Sequence, residues 1–331
     1  MFRRRGLGAR IVLAGAALVC AGLACLCMAA GVVIGRASRL DLVERLQRAA
    51  PVRIEPLGHE SDDVSDTWDL VIEDHVGPVR ATLRVPKLGS GPYPALVILG
   101  GLDTGRRAVQ LLAPELPYAV AALDYAYTGP RKMRLGAFLV HAPGIHRDLQ
   151  RTGVALRDLV RYVAARPEVD ASRVYIIGAS LGVPLSCAVA AAQPPAGLAV
   201  LFGFADHKTL LEHRLRPYVG SAAVRHRLAT WGALLTAGFE VTHSLPKLCG
   251  TPVLVVSSPE DLDLPPSSVE AVWESTCEPR RRIDVGGGHI RAHRDDAILE
   301  QVTAAVHSWL QEIDSGANVT RRSTAAPGAR R

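Results

Sequence analysis

Aromatic residues are scarce in this chain. Tryptophan, tyrosine and phenylalanine together make up 5% of its 331 residues. A nucleic-acid surface needs rings for stacking and basic side chains clustered on a folded element. Neither is in view, which excludes nucleic acid as a partner. The formal charge is +6, but much of the excess gathers at the two ends, in "MFRRRGLGAR" and "RRSTAAPGARR". Such tail charge flanks membranes or keeps termini solvated. Metal-ligand spacing is missing as well. His207, His213, His226 and His243 are scattered, without cysteines or carboxylates at ligand spacing. They read as surface or packing residues, and no metal or organic cofactor is implied. No internal repeat is present. Of the six cysteines, Cys20, Cys25 and Cys27 sit in an apolar run. None of these has a leucine three residues before it, which excludes a lipobox.

That run is the first positive signal. Ile11 to Ile34 spans 24 residues without a charge. A helix of that length reaches ~36 Å, enough to cross a bilayer with some tilt. A cleaved signal peptide is the rival, with a shorter apolar region of roughly 7–15 residues. The length of the run favours an uncleaved single-pass anchor. Arg3, Arg4, Arg5 and Arg10 precede the run, and Arg36, Arg39, Arg45 and Arg48 follow it. Charge counting is therefore a tie. The short N-terminal arm is more simply left in the cytoplasm, so the body is expected in an extracytoplasmic compartment, or secreted if the segment is cleaved.

The predicted organisation is a basic arm (1–10), the anchor (11–34), a polar, proline-broken linker (35–66), one large domain (67–313) and a disordered basic tail (314–331). Within the domain, "VRATLRV" alternates apolar and polar residues, as a strand with one wet face does. "TWDLVIEDHVGP" supplies its hairpin partner. Apolar runs follow at 95–101, 119–125, 174–180, 197–204, 251–258 and 281–287. Most are apolar on both faces, as buried parallel strands are. Helical patterns separate several of them, the clearest over 145–169, where an apolar stripe runs beside many arginines. Strands alternating with helices predict a three-layer α/β fold, a mostly parallel sheet covered on both faces.

One strand leads into Gly178-Ala179-Ser180-Leu181-Gly182. Gly-x-Ser-x-Gly alone is weak, since chance supplies about 0.15 matches in such a chain. Its setting is stronger: a strand before it and an alanine-rich helical stretch after it, the context in which a serine stands clear of a sheet. A serine hydroxyl needs a base, and the base an orienting acid. Asp261 follows the strand "TPVLVVSS", and His289 follows "RRIDVGGG". Serine, acid and histidine thus fall on three loops at the C-terminal edge of one sheet. Asp263 is the alternative acid, and Glu260 lies in the same loop.

Through "VDASRVYIIGASLG", "TPVLVVSSPEDLDLPP" and "IDVGGGHI" the chain resembles the α/β hydrolases, in particular the dienelactone-hydrolase and prolyl-oligopeptidase-like branch. The resemblance covers roughly residues 67–313. It implies a serine hydrolase acting on a carboxylic ester or thioester, with Ser180 as nucleophile, His289 as base and then acid, and Asp261 orienting the imidazole. It also implies an oxyanion hole built from the backbone N–H groups of Leu181 and Leu102. The insert at about 205–245 is expected to act as a lid shaping an apolar acyl pocket. If family strand order holds, Cys249 and Cys277 lie at one edge of the sheet and are placed to form a disulfide. The chain departs from many relatives in having Gly100-Gly101 where they have His-Gly, and Val183-Pro184 where a further glycine is common. Two rivals stand: a catalytically silent binding module of the same fold, and a peptidase, which needs an amine-anchoring pocket or an extra domain that the sequence does not display.

Overall fold

The computed structural model describes residues 41–127, 129, 135–291 and 296–316. The basic arm, the apolar run at 11–34 and the tail beyond residue 316 lie outside the described residues. Among the described residues no helix is long and apolar enough to cross a membrane.

Among the described residues nine strands form one sheet: β1 (Arg53–Ser61), β2 (Ser65–Glu73), β3 (Pro78–Pro86), β4 (Tyr93–Leu99), β5 (Ala119–Leu123), β6 (Val169–Ala179), β7 (Gly197–Leu201), β8 (Val253–Ser257) and β9 (Arg280–Asp284). Their order is β1-β2-β3-β5-β4-β6-β7-β8-β9. The pairings β1–β2, β2–β3 and β3–β5 are antiparallel, and all the rest are parallel. β4, β5, β7 and β8 are buried at every position. Helical layers cover both faces, which is why these strands are apolar throughout.

The pleat sorts side chains between two cores. Ala95, Val97 and Leu99 of β4 face the layer of α1 (Leu42–Arg48), α2 (Leu135–Ala164) and α3 (Val183–Ala192). Leu96 and Ile98 face the connection after β4 and the C-terminal helix α7 (Asp296–Asp314). Between β7 and β8 the insert forms a helical hairpin of α4 (His207–Leu215) and α5 (Ala222–Thr236). α6 (Pro266–Glu274) joins β8 to β9.

Residues 35–66 are not simply a linker. Leu42, Val43 and Leu46 of α1 are buried in the domain core. Residues 53–61 form the edge strand of the sheet. Pro56 and Gly58 made this stretch read as broken, yet they sit where pairing with β2 shifts register. An edge strand tolerates proline and glycine there because its outer side needs no partner. The wet face read into β3 is also incomplete. Arg84 is buried, and its guanidinium donates to the carbonyls of Leu112 (2.9 Å) and Ala113 (3.3 Å). Burial lowers its pKa.

Cys249 and Cys277 flank β8 and β9 at their N-terminal ends, and the structure joins them in a disulfide with Cα atoms 4.9 Å apart, a separation that a bridge accepts. Cys187 is buried inside α3 and free.

Candidate active site

The turn after β6 is built by two close approaches. A Cβ on Gly178 would lie 2.7 Å from the Ser186 side chain, and one on Gly182 would run into the Leu99 carbonyl of β4. Between them Ser180 has φ +50°, in the left-handed region that residues other than glycine avoid. The strain holds the hydroxyl at the lip of the sheet instead of letting it fold back. Val183-Pro184 fits without disturbing this turn. Val183 is fully buried and lies beside Gly203 at the end of β7. Pro184 occupies the first turn of α3, where a missing N–H costs nothing.

The three loops meet. Ser180 Oγ lies 2.7 Å from His289 Nε2, and His289 Nδ1 lies 2.7 Å from Asp261 Oδ2. The other Asp261 oxygen accepts the Asp263 N–H at 2.8 Å. The Asp261 carboxylate is 2% exposed, so its charge is directed at the imidazole rather than at water. Phe202 packs edge-on against the His289 ring, with centroids 5.7 Å apart. The histidine loop is pinned at Gly287. Its N–H donates to Glu260 at 3.3 Å, and its carbonyl accepts from the Ser258 hydroxyl. Gly287 has φ +96°, and a Cβ there would strike Ile298 of α7.

Asp263 is committed elsewhere. Arg214 of α4 pairs with one of its oxygens, and Arg291 donates to the other at 3.2 Å. Burial works to raise its pKa, but the Arg214 and Arg291 guanidiniums outweigh this and hold the carboxyl below the ordinary range. Asp261, Asp263 and His289 bring ligand atoms within 4.8 Å of one another. With two guanidiniums on Asp263 and the imidazole bonded to both Ser180 and Asp261, that cluster is poorly suited to a cation.

Gly100, Gly101 and Leu102, in the loop after β4, line the same cavity as Ser180. The buried Tyr125 hydroxyl donates to the Gly100 carbonyl at 2.7 Å and fixes that loop. Asp124 holds the next segment through the Arg106 N–H at 2.9 Å. The Arg106 side chain pairs with Asp69 and Asp124, which gives it a structural place. Asp103 lines the cavity. His207 is a packed residue, bonded to Thr236 at 2.9 Å.

The cavity measures about 700 Å³. None of residues 205–245 lines it, so the expected role of the insert in shaping an acyl pocket does not hold here. Trp231 of α5 is instead 54% exposed. The hairpin reaches the site indirectly, through Arg214 on Asp263 and through His213 at 2.9 Å from the Leu262 carbonyl. The walls come from β4, β6, the connection 105–116 and α7. The sequence offered no sign of this, because those residues are apolar for the core as well as for the cavity.

This sheet order, with serine, acid and histidine on the loops after β6, β8 and β9, is that of the α/β-hydrolase fold. No family model and no curated protein matches the chain. Solved structures do. An acetyl xylan esterase from Paenibacillus sp. R4 superposes with a TM-score of 0.62 at 18% identity, over 82% of this chain and 92% of that one. Acetyl xylan esterase 1 from Thermoanaerobacterium sp. JW/SL YS485 gives 0.56 at 18% identity, over 86% and 93%. A cold-adapted esterase from an Arctic intertidal metagenomic library gives 0.51 at 15% identity, over 78% and 98%. At these identities the likeness is one of fold, and the chain has the α/β-hydrolase fold.

Proposed function

We propose that the protein is a serine hydrolase cleaving a carboxylic ester or thioester through an acyl-enzyme. The observation that carries this is the unbroken relay of two 2.7 Å contacts from Ser180 through His289 to Asp261. In the proposed reaction Ser180 Oγ attacks the acyl carbon while His289 Nε2 takes the hydroxyl proton. The oxyanion forms against the backbone N–H groups of Leu181 and Leu102, each such donor contributing about 2.7–4 kcal/mol. Collapse breaks the bond to the alcohol or thiol, which leaves with the proton from His289. Water then attacks the acyl-enzyme, its proton passing to His289 and on to Ser180 as the acid departs. Asp261 keeps Nδ1 protonated and Nε2 free to accept. That the three structural neighbours are esterases is consistent with this reading.

A fluorophosphonate probe tests it. Labelling of the folded protein at Ser180 is expected, and a folded wild type that stays unlabelled supports the silent module instead. The acid is tested by two substitutions. Asp261→Asn is expected to lower kcat by about 10⁴, as loss of the orienting carboxylate does elsewhere. Asp263→Asn should cost less than tenfold, because its oxygens serve Arg214 and Arg291 rather than the imidazole. Equal losses for the two would reject Asp261 as the orienting acid.

We further propose that residues 11–34 anchor the domain to a membrane with the body in an oxidising compartment. The uncharged run and the disulfide at Cys249–Cys277 support this. Washed membranes from cells making the full chain should retain the protein and yield a Cys249–Cys277-linked peptide on non-reducing digestion. Recovery in the soluble fraction, or free thiols at both positions, would refute the respective part.

A further inference from the structure

The cavity continues far past the serine. Along α7 its lining residues are Leu299, Val302, Thr303, Val306, His307 and Leu310. They recur at three- and four-residue steps, so they form one stripe on one helix face. The first and last are eleven residue steps apart, which is ~16 Å at 1.5 Å per residue. The opposing surface is the sheet, with Leu96, Ile98 and Ile177, and the side wall is Leu111, Leu112 and Leu116. Arg84, buried under that wall, holds the carbonyls of Leu112 and Ala113. The wall is therefore braced from inside the domain.

The far end is occupied by a hydrogen-bonded pair. Tyr118 and His307 line the cavity, and the Tyr118 hydroxyl lies 3.1 Å from His307 Nδ1. His307 Nε2 meets Gln311 at 3.0 Å. Both ring nitrogens are thus engaged within the protein, so the imidazole has no nitrogen free for a carboxylate or hydroxyl at a chain terminus.

We propose that this cavity is an acyl tunnel and that the protein acts on esters of medium- to long-chain unbranched aliphatic acids. The proposal rests on the hydrolase reading of Ser180. An extended chain advances roughly 1.2 Å per bond, from about 3.6 Å per three-bond residue, so ~16 Å takes about a dozen carbon atoms. An acetyl group would occupy only the mouth, leaving most of 700 Å³ of largely apolar space unused. Each methylene moved from water into such a wall is favourable, so binding should improve with chain length until the tunnel is full. This sets the chain apart from the two acetyl xylan esterases among its structural neighbours.

The experiment compares kcat/KM of the full chain on p-nitrophenyl acetate, octanoate and dodecanoate. It is paired with calorimetric binding of dodecanoate to Ser180→Ala. A rise of at least tenfold from acetate to dodecanoate is expected, with one dodecanoate bound per chain. Val306→Phe and Thr303→Phe place a ring in the tunnel at two depths. Each should lower the dodecanoate-to-acetate ratio at least fivefold and weaken dodecanoate binding in the Ser180→Ala background. Acetate hydrolysed as well as dodecanoate, or ratios unmoved in both folded variants, overturns the tunnel and leaves the hydrolase reading intact. Dodecanoate bound by Ser180→Ala, with no ester of any length cleaved by the wild type, overturns the hydrolase reading and the ester specificity with it. If one variant fails to fold, the other carries the comparison.

Discussion

Ser180→Ala is expected to lower kcat on the best p-nitrophenyl ester by about five to six orders of magnitude, and His289→Ala by a similar factor. The double variant should be no worse than either single one. A relay works as a unit: without the imidazole the hydroxyl is a poor nucleophile, and without the hydroxyl the imidazole has no proton to accept. The 2.7 Å contact between them is the structural form of that dependence. Alanine accepts the φ of +50° at position 180 no worse than serine, so the fold should survive. Steady-state kinetics of the three variants, with thermal unfolding as the control, measures this. Losses that multiply in the double variant would mean that Ser180 and His289 act separately, and the acyl-enzyme mechanism would have to be abandoned.

Arg157→Ala is expected to destabilise the protein by about 3–5 kcal/mol, read as a lower urea midpoint at unchanged m-value. Arg157 lies on α2 and is 1% exposed. Its Nε and Nη2 each meet the Asp158 carboxylate at 2.8 Å. Its remaining donors go to the carbonyls of Leu46, Ala49 (2.8 Å) and Ala50 (3.1 Å) at the end of α1. Asp158 in turn accepts the Val52 N–H at 2.8 Å. One guanidinium thus fastens the chain between α1 and β1 to the domain. Removing it leaves a buried carboxylate short of its main partner and three carbonyls without donors. Arg157→Lys keeps the charge but not the fork and should fall between the two. A loss below about 1 kcal/mol for Arg157→Ala would show that the N-terminal segment is held by its leucines alone.

That fastening also marks where the sequence was hardest to read. The stripe of apolar residues on α2 was legible because it repeats with the helical period. Arg157 belongs to the same run of arginines as its exposed neighbours, and nothing local sets it apart. What buries it is α1, more than a hundred residues earlier, and α1 reads as a linker because its three core residues are too few to show a period. β1 was missed for a related reason. An edge strand with Pro56 and Gly58 satisfies pairing on one side only, so its composition looks like a loop. The strands β4, β5, β7 and β8 gave the opposite case: buried on both faces, they announce themselves as short apolar runs.

The candidate site divides the same way. Ser180 and its glycines, and the downstream order of an acid and His289, can be read from the letters, because a tight turn between strand and helix is a local object with local steric demands. Whether Asp261 or Asp263 meets the imidazole cannot. The two are separated by one residue, and the choice is made by Arg214, from the insert, and Arg291, from beyond the last strand, which take Asp263 out of contention. The acyl cavity is more hidden still. Its walls come from segments that read as ordinary core, and the insert that looked like a lid lies outside it. Periodicity and turn chemistry act over a few residues and so are written in the chain. Which carboxylate is free, and which apolar surfaces fail to touch, depend on residues brought together from distant positions, and only the folded chain decides them.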